Sequence, residues 1–171
     1  CSNAAANGHL HVLRWLEERG HQIGYATALS AARGGRLAVL IELSVQINMD
    51  HQEFLEQAAE FGHTDCVTWL ANMGCPFTSI ASHNAAKNGH LETLKFLCRL
   101  AVPHHNTVLA ATRNDRLDCV KFCVENSDTF PNVFPDQIME KACFSGAPKV
   151  ARWLLEDKLV AEGKTEWIMM A

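Results

Sequence analysis

One phrase recurs along this chain at nearly constant spacing. It is a pair of small residues, two variable residues, a glycine, and then a leucine-rich stretch. The clearest copy is AAKNGHLETLKFL, which starts at Ala85. Others start at Ala4, Ala31, Ala58, Ala111 and Ala142, in successive steps of 27, 27, 27, 26 and 31 residues. Self-similarity at a period of 20 to 50 residues marks a stacked repeat architecture. A unit this short cannot bury its own apolar face, so each copy must supply its neighbour's core.

Each unit is expected to form two short helices. Leu91, Leu94, Leu97 and Cys98 recur at helical spacing and define one apolar face of a second helix. The first helices carry the alanine pairs 31/32, 58/59 and 85/86, whose small side chains let backbones approach closely. The glycines at 8, 35, 62, 89 and 146 fall where the first helix must stop and the chain reverse. A left-handed residue closes such a helix. The fifth unit has Asp115 there, which tolerates that conformation better than most residues do. Pro148 opens the last second helix, where a missing N–H costs nothing. Residues 126–136, NSDTFPNVFPD, account for the one long step and are expected to project as a loop.

The fold class expected is therefore all-α, a solenoid of helix-turn-helix repeats in a single domain over 1–171. Its units are 1–24, 25–51, 52–78, 79–104, 105–134 and 135–160. Residues 161–171 start a further unit, because their Ile168–Met169 step matches Ile138–Met139. Both ends look cut within an array, and the chain opens without Met.

The phrase around 85–97 resembles the ankyrin repeat, whose signature is a small pair, Gly-His-Leu and a Leu/Val-rich second helix. Residues 72–97 carry the best match, and His83 stands where that family has the histidine of Thr-Pro-Leu-His; the Thr-Pro is absent. The usual ankyrin period is 33, so the β-hairpin fingers are expected to be short or missing. The resemblance implies a protein-binding scaffold, without catalytic residues, cofactor or metal; the irregularly spaced cysteines, read as reduced, point to an intracellular chain, cytoplasmic or nuclear. It would be monomeric or part of a longer chain.

Composition narrows the partners. The net charge of −4 gives no support for nucleic-acid binding. No apolar run reaches the roughly 20 residues that span a bilayer, so no membrane partner is expected. Seven cysteines at irregular spacing do not form a disulfide framework; they are read as reduced thiols. Phosphate-loop, nucleophile-elbow and zinc-protease motifs are missing from the sequence.

Candidate contact residues are those that vary between units on the first helices: Glu56, Gln57, His83, Asn84, Glu140 and Lys141. On the first-helix, concave side they would meet a partner protein. Phe130 and Phe134, in the insertion, form a second candidate as exposed aromatic anchors, or else fold back over the core. The repeated His9, His63 and His90 are expected to make turn and helix-start hydrogen bonds. Trp15, Trp69, Phe96, Phe122 and Trp153 share one position of the second helix and are expected to form an aromatic layer in the core. Glu42 breaks that series, either exposed or marking an irregularity. A structural spacer within a larger protein is the alternative function, and a metal or catalytic site at His104, His105 and Cys123 is a third.

Overall fold

The computed structural model describes residues 1–101, 103, 106–126, 129–130 and 134–159. Among them there are twelve α-helices and no strand. They alternate as inner and outer members of six pairs: α1 (Ser2–Ala6) with α2 (Leu10–Glu18), α3 (Tyr25–Arg33) with α4 (Leu37–Leu43), α5 (Gln52–Glu60) with α6 (Thr64–Asn72), α7 (Ser79–Asn88) with α8 (Leu91–Leu100), α9 (Thr107–Arg113) with α10 (Leu117–Glu125), and α11 (Pro135–Ser145) with α12 (Pro148–Trp153). The chain then widens into a π-helix over Leu154–Leu159.

The first helices form one layer, with α1 on α3, α3 on α5, and so on to α9 on α11. The second helices form a parallel layer from α4 to α12. The alanine pairs explain the closeness of the first layer. Ala31, Ala32, Ala58, Ala59, Ala85 and Ala86 are all completely buried. Leu40, Val67, Leu94 and Val120 fill the space between layers and are also fully buried. Burying a side chain of this size contributes about 1.5–3 kcal/mol.

The helix-ending turn is the same in every unit. The residue after the glycine donates its N–H to the first alanine of the pair: His90 to Ala85, at 2.9 Å, is one instance, and Ala147 to Ala142, also at 2.9 Å, is another. This six-residue closure requires a left-handed residue between. Gly89 takes φ 86°, and Asp115, in the same place, takes φ 54°. Gly20 and Gly74 end second helices in the same conformation.

Two expectations need correction. The insertion is shorter than its sequence suggested, because α11 already begins at Pro135. Phe130 does not project: it is only 3% exposed and sits edge-on to Phe122, with ring centroids 6.2 Å apart. The aromatic layer is also uneven. Trp153 is buried and Trp69, Phe96 and Phe122 are half-buried, but Trp15 is 49% exposed, with the Arg19 guanidinium 3.8 Å over its ring. Glu42, exposed, pairs at 2.9 Å with Arg14 of the preceding outer helix. That position lies at the rim of the outer layer, where polar and apolar side chains are both tolerated.

Candidate functional site

The residue that follows each turn is the first place where the units touch through side chains. His63 Nε2–H donates to the carbonyl of Arg33 at 2.9 Å, and His90 Nε2–H to that of Glu60 at 3.0 Å. Arginine does the same elsewhere: Arg36 Nε–H donates to Ala6 at 2.9 Å and Arg116 Nε–H to Lys87 at 3.4 Å. Each acceptor is a carbonyl at the end of the preceding unit's first helix, where helical hydrogen bonding leaves acceptors unfilled. His63 and His90 were expected to make turn and helix-start hydrogen bonds; none of the four side chains caps its own helix. They stitch one unit to the one before.

The stitch needs the glycine for a second reason. A Cβ at Gly35 would fall on the ring of His63, and one at Gly62 on the ring of His90. Where Asp115 replaces glycine, the next unit has Ala147 instead of His or Arg. The connection is reversed: Asp115 Oδ1 accepts the N–H groups of Lys149 and Val150, at 3.0 and 3.1 Å, and so caps α12 from the preceding unit. His90 is partly enclosed by this packing, and burial lowers its pKa from the ordinary 6.5, more than the bond to Glu60 raises it.

The surface left free by the stitches is the outward side of the first helices. Its central row contains the candidates. Glu56 is half-buried and accepts from the Thr78 hydroxyl at 2.7 Å; Gln57 donates to Glu60 at 3.1 Å. His83 and Asn84 are half-buried, and the Asn84 carbonyl accepts from Asn88 at 3.1 Å. Glu140 is exposed and Lys141 half-buried. These six lie at equivalent positions on α5, α7 and α11 and so share one face. Phe134 stands apart, 53% exposed at the start of α11. Phe130, being buried, offers no surface to a partner.

The more accessible rows of the same face were not singled out from the sequence. Glu53, Ile80 and Gln137 lie one turn before the central row, and Arg33, Lys87, Arg113 and Phe144 one turn after it. All are exposed, Phe144 to 87%. The signal was present: positions three and four residues from a surface position on a helix share its face.

The remaining features bear on chemistry. A recess of about 380 Å³ between the turns of neighbouring units is lined by Asn88, Asp115, Arg116, Asp118 and Lys149 among others. Among the described residues, no three His, Cys, Asp or Glu side chains are grouped as a metal ion would require; His104 and His105 lie outside them. All seven thiols are free. Burial pushes Cys66 and Cys119 up to about 11, which keeps them protonated and unreactive at neutral pH. No described helix is long and apolar enough to cross a membrane.

Comparison with known proteins fits this geometry. Residues 82–163 match the family model of ankyrin repeats, in three copies. Among solved structures, the human ASB11 ankyrin repeat domain superposes with a TM-score of 0.71 at 22% identity, over 91% of this chain and 81% of that one. No curated protein matches the sequence.

Proposed function

We propose that this chain, whose residues 82–163 match the family model of ankyrin repeats and whose described part has the fold of an ankyrin repeat domain, is a non-catalytic scaffold that binds a partner protein through the face of its first helices. Ankyrin repeats are in general protein–protein interaction modules. One observation carries the reading to this face. The residues that stack the units repeat from one to the next, whereas the outward position two residues after the first alanine changes in character: it is basic at Arg33, Lys87 and Arg113, acidic at Glu60 and aromatic at Phe144. A binding face needs such variety, because a specific partner must be matched at each unit separately. Glu56, Gln57, His83, Asn84, Glu140 and Lys141 form its floor, and Phe134 stands at the start of α11 beside it. We keep the six units as divided above, and we place the protein inside the cell, where free thiols persist.

Affinity capture tests the reading. The bait is the whole chain, beside a variant carrying Arg33→Glu, Lys87→Glu and Arg113→Glu, shown by circular dichroism to keep its helices. A partner held by the first and lost by the second supports the scaffold and its face. A partner held equally by both moves the contact elsewhere, and no partner for either favours a spacer.

A further inference from the structure

The last turn of each first helix carries one outward side chain, and from the second unit to the sixth these read Arg33, Glu60, Lys87, Arg113 and Phe144. A cation there has a structural explanation, because the carbonyl end of a helix favours positive charge. Glu60 and Phe144 do not fit that account. Glu60 places an anion where the helix dipole opposes it, and Phe144 holds a ring that is 87% exposed to water. Neither serves the helix that carries it. The cations are also uncommitted: among the described residues, Arg33, Lys87 and Arg113 enter no ion pair. Arg33 instead lies over the ring of Phe61, 5.4 Å from its centroid.

We propose that this row reads a segment of the partner protein in an extended, polyproline-type conformation, whose side chains at every third position run acid, base, acid, acid, apolar. The proposal rests on the scaffold reading above and names the chemistry of its partner. Spacing selects the conformation. Packed helices lie about 8–10 Å apart, and the row has one residue for each helix. A polyproline helix turns once in about three residues, so every third side chain returns to the same face after roughly 9 Å. A β-strand alternates its sides and would turn every other one of those contacts away. Charge selects the composition. Opposite charges meet from the second unit to the fifth, an apolar side chain meets Phe144, and like charges at any unit reject a wrong partner or register. A continuous polyanion such as a nucleic acid fits worse. Glu60 interrupts the row, and Glu53, Glu56 and Glu140 lie on the same face.

Fluorescence anisotropy of labelled synthetic peptides, at low salt, tests the proposal on the whole chain. The matched peptide carries Glu, Lys, Glu, Glu and Leu at every third position, with proline and serine between, and is made in both chain directions. Its counterpart has every Glu and Lys exchanged. The matched peptide should bind at least about tenfold tighter, since each exchanged position turns an attraction into a repulsion. Lys87→Glu, shown by circular dichroism to keep its helices, should weaken the matched peptide roughly fivefold, and a peptide with Lys opposite position 87 should regain the loss. Equal binding of the matched and exchanged peptides would overturn the proposal, as would a loss that the Lys-bearing peptide does not recover. So would displacement of the matched peptide by single-stranded oligothymidine, which would assign the row to nucleic acid. Binding of neither peptide would overturn it too. The scaffold reading would then stand or fall separately, by whether affinity capture yields a partner that the triple variant loses.

Discussion

At the scale of single residues, Gly8, Gly35, Gly62 and Gly89 each do two things: they reverse the chain and leave space for a side chain of the next unit. The two can be separated. Gly20 has the same left-handed conformation, but nothing lies within 4 Å of where its Cβ would be. Gly20→Ala should therefore cost only the backbone strain, about 1 kcal/mol. Gly62→Ala adds a collision with the His90 ring and should cost about 3 kcal/mol. Urea denaturation of the two variants measures the difference, and equal costs would refute the second role. The exchange of Gly and His for Asp115 and Ala147 gives a sharper test. Ala147→His alone should destabilise, because the ring would meet the Asp115 side chain. Combined with Asp115→Gly it should restore the ordinary stitch, with a coupling of roughly 1 kcal/mol in a double-mutant cycle. Strict additivity would contradict the reversal described here.

His90 also makes stability depend on pH. Its folded pKa lies below the ordinary 6.5 because the ring is partly buried. The unfolded chain therefore takes up the proton first. This contribution to stability is complete above pH 6.5 and declines as the pH falls below it. Chemical denaturation at pH 7.5 and at 5.5 should show a loss that is smaller in His90→Gln, whose amide can still donate to Glu60. The turn itself was legible in the sequence, since only a left-handed residue closes a helix so abruptly. The stitch was not. It joins residues about thirty apart, and nothing local distinguishes a His or Arg that reaches backwards from one that caps its own helix.

At the scale of elements, the helix pairs follow from two patterns. Leucines at helical spacing mark the second helices, and paired alanines mark the first. Leu94 is completely buried between the layers, and Leu94→Ala should cost about 2–5 kcal/mol in a denaturant titration. Trp15→Ala, by contrast, should cost about 1 kcal/mol or less, since half of that ring is already in water. The two tryptophan environments show where the sequence was silent: equal positions in the repeat are not equally covered, because the coverage depends on the neighbouring unit. The same reason hid the fate of Phe130. A loop's composition says that its aromatics need a surface, but not that Phe122 of its own unit supplies it. Among the contact candidates, the half-buried floor was found because it varies. The exposed rows beside it were not singled out, although residues three and four positions away share the same helix face.

At the scale of the whole molecule, each unit touches only its neighbours. Stability is then a sum of unit and interface contributions, and destabilising one end should let it open before the rest. On the proposed reading, function at this scale depends on which side of the two-layered stack faces a partner. The first-helix layer offers close-set, non-repeating side chains held by a rigid alanine floor; the second-helix layer offers Trp15, Ile41 and the half-buried aromatics. The measurement that separates them most directly uses a photo-crosslinking residue placed at Lys87 in one preparation and at Ile41 in another, each irradiated in native extract. Both positions are exposed and lie on opposite layers. The predicted result is a discrete crosslinked protein from the Lys87 probe that is missing from the Ile41 probe. A crosslink from Ile41 and none from Lys87 would contradict the first-helix face as the binding surface.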